Sequence, residues 1–147
     1  MASYGSQSTA NARSTAVQRG PQSTGLFAEL MGGQPSPARL KVPQKDLLVF
    51  FRQLAVILQS GVPLAQGLIL IAENMTNEQL SLCIQRISSR LSAGEELSLS
   101  LRQYPKVFEP LAIGLIEAGE AGGILEDVLD RIALLLEERA KIRGQII

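Results

Sequence analysis

Residues 47–75 have the sequence LLVFFRQLAVILQSGVPLAQGLILIAENM. Large apolar side chains recur there at intervals of four, three and four residues, on both sides of a Gly-Val-Pro turn. The two series are Leu47, Phe51, Leu54, Leu58 and Leu64, Leu68, Ile71, Met75. This spacing lines up side chains on one face of an α-helix. The segment therefore predicts two helices joined by a short turn.

The turn between these helices carries the residues that helix ends require. Gly61 follows the first helix, where a positive φ is common and a Cβ is unfavourable. Pro63 suits the first turn of the second helix, because its missing N–H has no intrahelical partner there. Ile69 and Leu70 make the second helix apolar on nearly all sides, which predicts a central position.

The same spacing continues C-terminally. A third helix is predicted from Leu80 to Leu91, opened by a capping box over 76–79 and ended by Gly94. A short fourth helix around 97–104 is stopped by Pro105.

A fifth helix is predicted to begin at Pro110, with Leu111, Leu115 and Ala118 facing inward. The sixth helix is predicted to run from about residue 124 to 144 and to bury an apolar face. That face comprises Leu125, Val128, Leu129, Ile132 and Leu136.

These elements predict an all-α, antiparallel bundle of about six helices over residues 45–147, since short loops favour antiparallel neighbours. Residues 1–44 are rich in Ser, Gln, Gly, Thr and Pro and predict a disordered or weakly helical tail and linker. Within them, 25–31 has the pattern of a short helix. The tail has a net charge of +3 and the bundle −3, which argues against nucleic-acid binding.

The chain contains no His and one cysteine, Cys83. This composition excludes His-dependent catalytic triads and dyads, Cys/His zinc sites and an intrachain disulfide. A metal could be held only by carboxylate and carbonyl oxygens. Cys83 lies in an apolar helical pattern and is interpreted as a small buried hydrophobic residue.

Five short motifs occur in a characteristic order. They are FRQL at 51–54, SGVPL at 60–64, GEELS at 94–98, YPKVF at 104–108 and AGEAGGIL at 118–125. In this order and spacing the chain resembles the F domain of type II secretion systems, which also occurs in the platform proteins of type IV pili and competence pili. The resemblance covers about residues 45–143.

The resemblance implies the cytoplasmic part of a bacterial inner-membrane assembly-platform protein. Such proteins carry two F-type domains and about three membrane helices, and this chain corresponds to the first domain, expected to be a piece that stops before a membrane helix. The implied partners are a secretion or pilus-assembly ATPase, other inner-membrane platform components, and pilins or pseudopilins. No enzymatic activity and no cofactor are implied.

Most of the family-signature residues have structural interpretations. Gly61, Gly94 and Gly123 suit helix ends, and Gly119 suits a close approach of helices five and six. The remaining members of this set are Pro63, Pro105, Phe108, Glu120 and Leu125, of which Phe108 is expected to plug the core.

Glu117 and Glu120 leave several interpretations open. Glu120 could cap the N-terminus of the sixth helix. Both carboxylates lie on one helical face and could contact the ATPase or a second copy of the domain. They are also weak candidates for a Ca²⁺ site, although Ca²⁺ takes six to eight oxygen ligands. An acid–base pair is the least favoured interpretation, because no nucleophile, His or phosphate loop accompanies it.

Two further hypotheses concern partners. Helices two and five carry more apolar surface than one bundle needs, which predicts a homo-oligomer, in the simplest case a homodimer. The alternative to the platform protein is a soluble helical adaptor that binds a partner helix in a groove.

Overall fold

The computed structural model describes residues 36–144, and these form six α-helices without a strand. The helices are α1 (Gln44–Gln59), α2 (Leu64–Asn74), α3 (Glu78–Ser92), α4 (Leu97–Leu101), α5 (Pro110–Gly122) and α6 (Leu125–Ile142). The predicted all-α fold class is confirmed. The predicted helix at 25–31 and most of the predicted tail lie outside the described residues.

Helix α1 supplies two of the aromatic rings of the core, those of Phe50 and Phe51. It packs against α6 and α2, while α2 also packs against α3. The aromatic rings of Phe50 and Phe51 are 5.0 Å apart, and each lies 6.0 Å from the ring of Phe108. Phe108 is 1% exposed, so the prediction that it plugs the core is confirmed.

The predicted central position of α2 is wrong. Ile69 and Leu70 on this helix are 39% and 41% exposed. Apolar composition does not force burial, because much of any protein surface is apolar. The buried residues of α2 are Gly67, Leu68, Ile71 and Ala72, so its packed face covers only part of its apolar surface.

The predicted inward face of α5 is also partly wrong. Leu111 is 53% exposed and Ala118 is exposed, whereas Leu115 is half-buried. The buried residues of this helix are Ala112, Ile113, Ile116 and Gly119. The face is rotated because α5 packs against both α4 and α6.

The helix ends largely follow the prediction. Gly61, Gly94 and Gly123 have φ values of 89°, 102° and 71°, in the left-handed region that favours glycine. Helix α3 differs from the predicted capping box: its N-cap is Asn77 rather than Thr76, and the Asn77 side chain accepts a hydrogen bond from the N–H of Leu80 at 2.9 Å.

The bundle core extends N-terminally of the predicted boundary at residue 45. Residues 37–39 form a turn in which the N–H of Arg39 donates to the carbonyl of Ser36 at 2.9 Å. Leu40, the residue after this turn, is 5% exposed and belongs to the core. A single apolar residue in a Pro-rich stretch has no periodicity, so the local sequence offered no signal for its burial.

Cys83 lies on α3 and is 1% exposed, as predicted for a small buried hydrophobic residue. Burial raises the pKa of its thiol to about 12. The thiolate is the reactive form of cysteine, so this side chain is inert at neutral pH.

Among residues 36–144, no helix combines the length and the apolar character needed to cross a bilayer.

Candidate functional site

A cleft with a volume of about 520 Å³ lies where the α5–α6 junction meets the α1–α2 turn. Four family-signature residues line it together, although the sequence pattern does not predict a shared cavity. These are Gly119, Glu120, Gly123 and Leu125. The other lining residues are Leu58, Leu64, Ile124, Glu126 and Asp127. This cleft is the candidate functional site.

The wall of the cleft is built by the tight packing of α5 on α6. A Cβ placed on Gly119 would lie 2.8 Å from Cγ2 of Val128 and 3.3 Å from the Cα of Leu125. The carbonyl of Gly119 also accepts the N–H of Ile124 at 2.9 Å, and this bond closes the turn. The predicted close approach at Gly119 is confirmed.

Glu120 caps a helix, but not the predicted one. Its carboxylate accepts hydrogen bonds from the backbone N–H of Ser98, at 3.2 Å, and from the Ser98 hydroxyl. Ser98 lies in the first turn of α4 and is 2% exposed. The N-cap of α6 is Ile124, which has no side-chain capping bond. Glu120 therefore ties α5 to the start of α4, which is 22 residues away in sequence.

Glu117 occupies a different environment from Glu120. Its carboxylate pairs with the guanidinium of Arg102, and the two side chains are 53% and 51% exposed. Glu117 does not line the cleft. The two carboxylates therefore have separate partners, despite their spacing of three residues.

Metal binding at Glu117 and Glu120 stays a prediction. Across residues 36–144 there is no group of three or more His, Cys, Asp or Glu side chains that could hold a metal ion. The two carboxylates alone supply fewer oxygens than the six to eight that Ca²⁺ takes.

The remaining signature residues lie away from the cleft lining. Gly61 and Pro63 occupy the turn between Leu58 and Leu64, which do line it. Pro105 and Phe108 line a smaller cavity of about 250 Å³ on the side where α1 begins. Gly94 ends α3.

A polar network between α3 and α4 was not predicted. The Arg90 guanidinium donates to both carboxylate oxygens of Glu95, at 2.8 and 2.9 Å, and to the amide oxygen of Gln103 at 3.0 Å. The Ser100 hydroxyl donates to Glu95 at 2.9 Å. The hydrogen bond from Arg90 lowers the pKa of the Glu95 carboxyl below its usual value. The spacing of five residues matches no single helical face, so a search for helical pairs misses it.

A second missed contact joins the ends of α5 and α6. The Arg139 guanidinium lies 2.7 and 2.8 Å from the two carboxylate oxygens of Glu109. This contact raises the pKa of Arg139 above its usual value. The two residues are 30 positions apart, so no local pattern could connect them.

The polar side chains of the cleft are the carboxylates of Glu120, Glu126 and Asp127. Carboxylates beside an apolar wall suit a cationic or hydrogen-bond-donating group of a partner.

The fold and the cleft define a class of protein: an all-helical domain whose signature residues build helix junctions. The family described as "Type II secretion system (T2SS), protein F" matches residues 50–147. The chain belongs to this family.

Relatives from both pilus and secretion systems are similar to the chain. The type IV pilus assembly protein PilC of Myxococcus xanthus is 34% identical over 136 residues, covering 92% of this chain and 33% of the relative. PilC of Pseudomonas aeruginosa is 36% identical over 106 residues, covering 72% and 28%. The type II secretion system protein F of Vibrio cholerae is 37% identical over 101 residues, covering 69% and 25%. The chain thus spans a quarter to a third of the length of these relatives.

Proposed function

We propose that this chain is the cytoplasmic domain of an inner-membrane assembly-platform protein. In this role it couples a secretion or pilus-assembly ATPase to the assembly of pilins or pseudopilins, in type IV pilus biogenesis or type II protein secretion. It acts by binding partners, which include other platform components and a further copy of the chain, and it performs no catalysis.

Family membership is the observation that carries this proposal. The match covers residues 50–147. Its relatives bear the names of a pilus assembly protein and of a secretion system protein. A domain shared by pilus assembly and type II secretion systems is expected if both systems need the same coupling between an ATPase and the assembly of pilins or pseudopilins.

The surface around the candidate site supports a binding role. Glu117 is exposed on α5, and the acidic cleft opens beside the same helix. Exposed carboxylates next to apolar side chains give specificity and a fast association rate with a basic partner surface. Glu117, which is exposed, and Glu120, which is half-buried and lines the cleft, are the residues proposed for the ATPase contact.

The test is direct binding between the purified chain and the purified assembly ATPase encoded in the same genome, measured by calorimetry. Saturable binding is expected. Glu117→Lys should weaken it, since the charge reversal falls on the proposed contact. Glu73→Lys is the matched control, because Glu73 is an exposed glutamate on α2.

Absence of binding by the folded wild-type chain would contradict the ATPase coupling. Equal binding by Glu117→Lys and Glu73→Lys would contradict the proposed contact residues. Circular dichroism of each variant establishes that the helices are intact, so that a loss of binding is not a loss of fold.

A further inference from the structure

The solvent-facing side of α6 carries an ordered row of side chains. Asp127, Arg131, Leu134, Glu138 and Lys141 follow one another at intervals of four, three, four and three residues, and all five are exposed. At 100° per residue they fall within about 80° of one another on the helix. This row is called the outer stripe. It lies opposite the buried face formed by Val128, Leu129, Ile132, Ala133 and Leu136.

The charges of the outer stripe are antisymmetric about its centre. Leu134 is the middle residue, with an acid and then a base on its N-terminal side and an acid and then a base on its C-terminal side. A second α6 laid antiparallel across Leu134 therefore places Asp127 opposite Lys141, and Arg131 opposite Glu138. A parallel copy in register would place like charges opposite each other, which is unfavourable.

We propose that the outer stripe is the contact surface for a second copy of this chain, with the two α6 helices antiparallel about a two-fold axis beside Leu134. Such an interface uses the same surface on both subunits, so that surface must carry charges that are complementary to their own two-fold copy. The proposal rests on the homo-oligomer named in the proposed function and specifies the surface that forms it.

The apolar part of the surface lies beside the stripe. A groove of about 790 Å³ between α5 and α6 is lined by four leucines and four charged residues. They are Leu111, Leu115, Leu134 and Leu135, together with Asp130 and, from the stripe, Asp127, Arg131 and Glu138. Leu111 and Leu134 are 53% and 55% exposed. Leu134 of the partner subunit would enter this groove and cover apolar surface that a single copy leaves in water.

The charges of the outer stripe are available for a partner. Within residues 36–144, Asp127, Arg131 and Glu138 take part in no ion pair, and Lys141 has only a contact of 3.9 Å with Glu137 one turn away. By contrast, Arg139 on the flank of the same helix is paired with Glu109.

The size of the surface indicates a reversible dimer. The stripe spans 15 residues, or about 21 Å of helix. Stable complexes bury about 800 Å² on each partner, and a single helix pair with one adjoining groove lies at the low end of this range. Dimerisation should therefore depend on concentration and weaken with salt.

The first test measures the mass of the full chain by sedimentation equilibrium over a concentration series. Wild type should shift from monomer to dimer. Leu134→Glu should raise the dimer dissociation constant by about a hundredfold, because two like charges would meet at the axis. Leu99→Glu is the matched control, since Leu99 is 50% exposed on α4, and should dimerise as wild type does.

The second test uses complementary charge reversals and reports on direction. Arg131→Glu alone and Glu138→Arg alone should each be monomeric. In a dimer of either variant, residue 131 of one subunit and residue 138 of the other would carry the same charge. A mixture of the two should dimerise, since each 131–138 contact then joins opposite charges. The double variant R131E/E138R should also recover dimerisation.

Several outcomes would overturn the proposal. They are a monomeric wild type at every concentration, equal dimerisation by Leu134→Glu and wild type, and failure of the mixed single variants to dimerise. None of them bears on ATPase binding, so failure of the interface is distinguishable from failure of the proposed function.

Discussion

The α1–α2 and α5–α6 helix pairs both pack closely at a glycine, but they differ in how well that glycine position should tolerate a larger side chain. Each pair turns at a glycine with positive φ, Gly61 in the first and Gly123 in the second. Each also has a glycine inside a helix where the partner helix approaches. At Gly67, a Cβ would lie 2.8 Å from Cγ2 of Ile57. At Gly119, it would lie 2.8 Å from Cγ2 of Val128.

The two positions differ in the second and third nearest atoms around the added Cβ. The next atoms near Gly67 are 3.9 and 4.0 Å away and belong to side chains, so a rotation of Ile57 relieves the contact. Near Gly119, the Cβ of Val128 lies at 3.2 Å and the Cα of Leu125 at 3.3 Å. Backbone does not move aside as a side chain does. The α5–α6 pair is therefore the rigid junction, and it also carries the candidate site.

The largest effect is expected at the rigid junction. Gly119→Leu should lower the free energy of unfolding by about 1–3 kcal/mol, because the helices must separate to admit the side chain. Gly114→Leu is the control on the same helix: a Cβ there meets nothing within 4 Å. It should be neutral or stabilising by up to about 1 kcal/mol through helix propensity. Urea unfolding measures both, and equal stabilities would refute close packing at Gly119.

The bond from α5 to α4 should have the next largest effect. Glu120→Ala removes the acceptor for the Ser98 N–H and hydroxyl and should cost about 1–2 kcal/mol. Glu117→Ala, three residues earlier, removes an exposed ion pair and should cost about 0–1 kcal/mol. Thermal unfolding of the two variants compares them. The capping role of Glu120 fails if Glu117→Ala proves the more destabilising.

The two turns should respond alike. Gly61→Ala and Gly123→Ala each place a Cβ at positive φ, which costs about 1–2 kcal/mol. No neighbouring atom lies within 4 Å of either Cβ position, so the cost should come from the backbone alone. Chemical denaturation should give similar losses for the two variants. A much larger loss at either turn would indicate a packing contribution that the distances do not contain.

The smallest effect is expected at the tolerant junction. Gly67→Ala gains about 1 kcal/mol of helix propensity and loses a similar amount when Ile57 leaves its preferred rotamer. The net change should lie within about 1 kcal/mol of zero. Repeating the substitution in an Ile57→Leu background, which lacks the Cγ2 atom, should make it stabilising. A double-mutant cycle measures this coupling, and no coupling would show that Ile57 does not limit the site.

The fold class was predictable because its signals are local. Helical spacing, the Gly61 and Gly94 helix ends and the Pro110 start each depend on a few consecutive residues. Burial of Phe108 also followed from an aromatic side chain in a short connection. The outward position of Ile69 and Leu70 was not predictable, since composition does not say which side of an apolar helix the core covers.

The candidate site was only partly predictable for the same reason. Gly119, Glu120 and Leu125 were identified as signature residues, and their proximity follows from the short α5–α6 turn. The partner of Glu120 did not follow, because Ser98 lies 22 residues away. A carboxylate near a helix start predicts capping, but the sequence does not reveal which helix start comes closest in space.

The sequence by itself determined six helices, their ends and a family membership, because periodicity and turn chemistry act over a few residues. Only the tertiary structure decided that Glu120 caps α4 and that Ile69 and Leu70 of α2 lie at the surface. These properties depend on which surfaces meet when the helices pack. That choice is made by the whole core at once and is not encoded in any single segment.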